Sequence, residues 1–142
     1  RPLDLYDHPD NLFVAKFIGS PSMNFFPCTA RRDGDQVQIE FADGTRLAAP
    51  ETGKLARDGQ RLVYGVRPEH ITLGTEGQGL KAVVELVEPT GADTEVHYKC
   101  NDADVVSVSS ERHQFSPGDV AYLGPDRVRT HLFDADNGRT LA

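Results

Sequence analysis

The side chains able to hold a metal or to act as nucleophile and base are five histidines, His8, His70, His97, His113 and His131, and two cysteines, Cys28 and Cys100. Their spacing supports neither role. A zinc site wants close Cys and His pairs, and the two cysteines lie 72 positions apart. Phosphate chemistry fares no better. A phosphate-cradling loop needs Gly-x-x-x-x-Gly-Lys-Ser/Thr so that a hydroxyl can hold magnesium, and here Leu55 follows Gly53-Lys54. Gly74, Gly77 and Gly79 are out of order for a dinucleotide fingerprint. Neither Gly-x-Ser-x-Gly nor His-Glu-x-x-His occurs. Carboxylates are plentiful enough to suggest a glycosidase pair, but in an acidic chain they are expected on solvated turns. No catalytic residue, cofactor or metal is expected, and the chain does not read as an enzyme.

Recognition is the remaining chemistry, and Gly65-Val66-Arg67-Pro68-Glu69-His70 is its most pointed candidate. Pro68 fixes its own φ and pushes Arg67 out of the helical region, so an extended bend is expected, with Arg67 and Glu69 on one side. These side chains are read either as a contact surface or as a solvated corner with a stem-buried arginine. A second candidate is the bend Thr90-Gly91-Ala92-Asp93-Thr94, in which Gly91 is expected at positive φ and backbone donors could meet an oxyanion.

Composition narrows the partners. With 22 Asp and Glu against 15 Lys and Arg, the net charge of −7 opposes a general polyanion surface or a polybasic membrane anchor. A single-strand nucleic-acid groove would want basic residues and stacking rings, yet aromatics make up 8%. The longest apolar candidate, residues 12–18, is far too short to span a bilayer, so direct membrane insertion is not expected. The widely separated cysteines read as reduced thiols. At 142 residues the chain can bury about two thirds of its unfolded surface in one globule.

The elements that must position these residues are mostly strands. Pro9 and Asp10 suit a helix start and Gly19 with Pro21 a stop, predicting one helix over 9–18. Phe13 with Phe17, and Val14 with Ile18, give it an apolar face, to be covered either by the strands that follow or by another domain. Residues 20–24 form a helix-breaking connector. Strands are predicted from Phe25 to Arg32, around Val37 to Phe41, at 45–48, 61–64, 71–73, 80–87, 94–100, 105–108 and 120–123, and in a closing hairpin from Arg129 to Leu141. Residues 51–60 read as a loop. Two halves, about 25–73 and 80–142, each hold several strands, which suggests a small barrel or sandwich.

The corner hexapeptide, with Phe17-Ile18-Gly19-Ser20-Pro21-Ser22-Met23-Asn24-Phe25 before it and Val87-Glu88-Pro89-Thr90-Gly91 and His131-Leu132-Phe133-Asp134 after it, resembles the C-terminal part of ATP-binding subunits of bacterial carbohydrate ABC importers of the maltose and glycerol-3-phosphate type. These segments occur in family order over essentially the whole chain. The resemblance implies a mainly β fold, an OB-type (TOBE) small barrel of short antiparallel strands at 25–142. Residues 1–19 would be the terminal helix of a truncated nucleotide-binding domain and 20–24 a linker. Phe13, Val14, Phe17 and Ile18 would then pack on that missing domain, which would bind MgATP; this chain would hold no cofactor. It further implies a non-catalytic regulatory and dimerisation role in sugar import, as a homodimer linked to permease membrane subunits and open to a regulatory protein. Arg67, Glu69, His70, Gly91, His131 and Phe133 are the implied interface or regulatory residues. The expected place is the cytoplasmic face of the inner membrane. The alternatives kept beside it are a TOBE-type oxyanion sensor and an OB-fold nucleic-acid module.

Overall fold

In the computed structural model, the described residues are 11, 12, 15, 22–74, 79–110 and 115–141. Among these described residues, ten strands form two antiparallel five-stranded sheets. They are β1 (Asn24–Asp33), β2 (Gln36–Phe41), β3 (Arg46–Ala48), β4 (Arg61–Val66), β5 (Ile71–Gly74), β6 (Leu80–Thr90), β7 (Asp93–Cys100), β8 (Ala103–Ser109), β9 (Val120–Pro125) and β10 (His131–Asp134). The first sheet runs β10-β4-β1-β2-β3 and the second β5-β9-β6-β7-β8.

The sheets exchange strands. β5 leaves the first half of the chain to pair with β9, as Ile71 opposite Pro125, and β10 returns from the second half to pair with β4, as His131 opposite Gly65. The halves at 25–73 and 80–142 are therefore not separate units, because each sheet borrows its outermost strand from the other half.

Alternation along the strands explains the core. In β1, Phe26, Cys28 and Ala30 are buried while Pro27 is exposed, and in β6 Leu80, Ala82 and Val84 face inward. One cluster, from Phe26, Ile39 and Tyr64 to Val84, Tyr98 and Leu123, spans both sheets. Its aromatic centre is edge-to-face: Phe41 lies 5.8 Å from Phe26 and 5.2 Å from Tyr64. Burial pushes the Tyr64 hydroxyl and the Cys28 thiol each up to about 12. A smaller cluster joins Ala15, Met23 and Phe133.

Turn chemistry follows the residues. Asn101 and Asp102 both take positive φ, 51° and 61°, which suits the two-residue turn between β7 and β8. Gly91 has φ +69° in the β6–β7 turn, as its sequence predicts.

Three expectations need correction. Residues 51–60 are not all loop, since Glu51–Leu55 wind a 3-10 turn. The strand expected at 80–87 runs on to Thr90, 11 residues in all, and carries a bulge between Val84 and Leu86. The corner is extended only at Arg67 (φ −68°, ψ 147°); Pro68 then starts a 3-10 turn through His70, closed by the His70 amide donating to the Arg67 carbonyl at 3.0 Å. Pro68 can begin a helical turn because its missing N–H is one that such a turn leaves unused. Arg67 and Glu69 consequently part company, Arg67 being buried and Glu69 exposed.

Most of the expected helix over 9–18, including Phe13, Val14, Phe17 and Ile18, lies outside the described residues. Of the rest, the Leu12 amide donates to the Gly138 carbonyl at 2.8 Å and Ala15 is fully buried.

Candidate functional site

The strand exchange requires the chain to cross between sheets twice, at Arg67–His70 and at Asp126–Thr130, and the two crossings lie side by side. The Asp126 amide donates to the His70 carbonyl at 2.8 Å, and Arg129 Nη1 lies 3.3 Å from His70 Nε2. A guanidinium has only protons to donate, so in this contact Nε2 can serve only as the acceptor. Asp126 orders its own turn, its carboxylate accepting from the Val128 amide at 3.1 Å and its carbonyl from the Arg129 amide at 3.0 Å. Thr130, buried, closes the turn by donating to the Arg127 carbonyl at 3.0 Å. Arg127 reaches across to donate Nε to the Ala49 carbonyl at 2.6 Å.

This network holds the backbone of Arg127–Arg129 while leaving Val128 on the outside, 90% exposed. An apolar side chain between two arginines, on an anchored turn of an acidic protein, is suited to contact rather than catalysis.

The residues singled out by sequence fall into three groups. Arg67 and His70 belong to the first crossing, and His131 opens β10 directly after the second, opposite Gly65. Phe133 belongs to the same strand but is fully buried, its ring 6.3 Å from Phe25 and 6.4 Å from the half-buried His131. Glu69 points from the corner to a cleft of about 560 Å³ whose other walls include Thr72, Ser109 and Asp93. Gly91 stands apart at the exposed tip of the β6–β7 hairpin, with nothing within 4 Å of where a Cβ would be. That tip carries Glu88, Asp93 and Glu95, a poor setting for an oxyanion.

Sequence reasoning overlooked Asn24 and Asp126. Asn24 reads as part of a connector, yet it begins β1 and is buried. Its amide Nδ2 donates to the Val106 carbonyl and its Oδ1 accepts from the Val106 amide, each at 2.9 Å, which ties the first sheet to the edge of the second. Asp126 in Gly-Pro-Asp was the readable signal, since Asp favours turns whose amides its own carboxylate can hold. Among the described residues, no group of three His, Cys, Asp or Glu could hold a metal ion, and no helix is long and apolar enough to cross a membrane.

Comparison with known proteins places this geometry. The MalK OB fold domain matches residues 19–71 and the TOBE domain matches residues 64–133, so the two matches overlap on the end of β4 and the first crossing. An uncharacterized ABC transporter ATP-binding protein of Sinorhizobium fredii is 40% identical over 148 residues, covering 99% of this chain and 37% of its own length. The maltose/maltodextrin import ATP-binding protein MalK of Vibrio cholerae is 36% identical over 140 residues, covering 96% of this chain and 38% of its own length. The chain thus spans less than two fifths of these relatives. Among solved structures, the cytoplasmic molybdate-binding protein ModG, crystallised with molybdate, superposes with a TM-score of 0.61 at 20% identity over 77% of this chain and 94% of ModG. That likeness is one of fold. The two domain matches, which meet at the first crossing, and these relatives together show that the chain belongs to the MalK-type OB fold and TOBE family found in ABC transporter ATP-binding proteins.

Proposed function

We propose that this chain is the non-catalytic regulatory and dimerisation part of an importer ATPase subunit. In this reading residues 1–19 end a nucleotide-binding domain, 20–24 link it, and 25–142 form the regulatory unit. The preceding domain binds and hydrolyses MgATP; permease subunits contact that domain, and the complex sits on the cytoplasmic face of the inner membrane. Two such subunits must close and reopen without losing register, and a second, tethered contact raises the effective concentration for each closure. The observation that carries the reading is the double crossing, which presents Val128 between Arg127 and Arg129 on a turn anchored to both sheets. Such a patch suits an isologous two-fold contact, or a regulatory protein docking on the same surface.

Sedimentation at rising concentration tests it. A monomer–dimer equilibrium is expected, weakened by Val128→Asp with no loss of fold. A chain that stays monomeric at high concentration, in a parent subunit whose pairing ignores deletion of residues 25–142, would overturn it. The chain alone is also expected to release no phosphate from MgATP.

A further inference from the structure

The first sheet opens into a fork where β2 and β3 part. Gln38 and Ala48 are the last pair of the ladder, and the Ala49 amide still donates to the Val37 carbonyl at 3.1 Å. Pro50, with φ −63° and ψ 169°, then turns the chain away into the 3-10 turn Glu51–Leu55, closed by the Gly53 amide donating to the Pro50 carbonyl at 2.8 Å. The gap that results is a cavity of about 320 Å³. Its walls all come from the unbroken described stretches 22–74 and 115–141.

Asp35, Glu51, Lys54 and Arg127 supply the charges of that wall, and two of them answer each other. Lys54 Nζ donates to Glu51 Oε1 at 2.5 Å, and Lys54 foremost, with Arg127 contributing more weakly, holds the Glu51 carboxyl below the usual carboxylate range. Arg127 is pinned at Nε, which donates to the Ala49 carbonyl at 2.6 Å, while its two Nη amino groups form no hydrogen bond with a described residue. A guanidinium held this way offers its Nη pair as a fork for a carboxylate. Asp35, exposed on the β1–β2 turn, offers an acceptor of opposite charge. Gln36 and Gln38, two apart on β2 and both exposed, add amide donors and acceptors on one side of the strand, and Val37 and Ala49 add apolar wall.

A simple anion would find the Arg127 fork but also the Asp35 carboxylate, and a simple cation would find the reverse. A ligand that carries one carboxylate and one ammonium matches both charges at once, with the glutamine amides left for its remaining polar groups. We propose that the β2–β3 fork binds a small zwitterion, its carboxylate on Arg127 and its ammonium toward Asp35, the chemistry shared by free amino acids and dipeptides. Arg127 also belongs to the turn that carries Val128, whereas Asp35 does not, so a variant at Asp35 tests this site and leaves the pairing surface untouched.

Titration of the chain with L-glutamine and with glycylglycine, followed by proton–nitrogen chemical shifts, tests the site and tells the free amino acid from the dipeptide. At least one of the two should give saturable shifts in the millimolar range at Gln36, Gln38 and the Arg127 Nε–H, while acetate and methylammonium at the same concentrations should not saturate. Asp35→Asn should weaken that binding about tenfold with the melting temperature and self-association unchanged. Arg127→Lys, which keeps the charge and loses the fork, should weaken it by about as much. Absence of saturation with both zwitterions, saturation by acetate to the same extent, shifts confined to residues outside the fork, or undiminished binding to the Asp35→Asn chain would overturn the proposal.

Discussion

Asn24 and Val106 exchange two hydrogen bonds, amide to peptide and peptide to amide, each 2.9 Å long. One asparagine side chain thereby does for the outer edge of β8 what a further strand would do, satisfying a donor and an acceptor that an open edge leaves bare. It also fixes where β1, and with it the first sheet, meets the second.

Replacing Asn24 with Leu should lower stability by about 2 kcal/mol or more, since both groups of the Val106 peptide lose their partner at a buried site. Asn24→Asp keeps the acceptor but sets a carboxylate oxygen against the Val106 carbonyl, and should be destabilising as well near neutrality. Urea denaturation would measure both, and equal midpoints for wild type and Asn24→Leu would show that water takes over the bonds.

Gly91 and Gly79 should respond differently to a side chain. At Gly91, φ is +69° and a Cβ meets nothing, so Gly91→Val should cost about 1 kcal/mol of backbone strain. At Gly79, φ is +95° and a Cβ would fall 2.2 Å from the Leu123 carbonyl oxygen, so even Gly79→Ala should cost clearly more. Thermal melts of the two variants should show that order.

Val128 and Phe133 separate pairing from folding. Val128→Asp changes a side chain that is 90% exposed and should leave the melt unchanged while weakening self-association. Phe133→Asp places a charge in a fully buried cluster and should unfold the chain or lower its melting temperature sharply. Sedimentation and calorimetry on the same samples would distinguish the two effects.

The Asp134 carboxylate accepts from the amides of Asn137 and Asp136 and from Gln60 Nε2, and these bonds, that to Asn137 foremost, hold its pKa below the usual carboxylate range. A folded pKa below the unfolded one stabilises above the unfolded value, about 3.9, and that contribution fades as pH falls through the folded value. Asp134→Ala should therefore be less stable than wild type near neutrality, and the two melting curves should converge as pH drops below about 4.

Both thiols should be unreactive while the chain is folded. Burial pushes Cys28 up to about 12 and Cys100 to about 11, so at pH 8 roughly one Cys100 in a thousand would be thiolate. Iodoacetamide should label neither before denaturant is added and both afterwards, with mass spectrometry as the readout.

Strand positions were legible because half-buried strands advertise themselves by alternation, as Val37, Ile39 and Phe41 do. Turns at Asp33-Gly34, Asp43-Gly44 and Asn101-Asp102 carry a sequence signature because few residues tolerate positive φ. The pairing was not, since alternation says which face of β5 is buried and nothing about which strand lies beside it. The corner shows a second limit. Pro68 disfavours helix for the residue before it, but the same ring is compatible with starting a 3-10 turn, and only packing against β8 decides. Asn24 was missed because its partner is 82 residues away, beyond the reach of any local pattern.

The exchange of outer strands also orders events on the ribosome. β4 is made early, but the neighbour that covers its open edge, β10, is the last of the ten strands to be synthesised. Until then the nascent chain carries a bare strand edge with Tyr64 and Leu62 beside it, a template for pairing with the wrong chain. Vectorial synthesis thus leaves β4 paired on one edge alone, with β1, through the whole interval in which β5 to β9 are made.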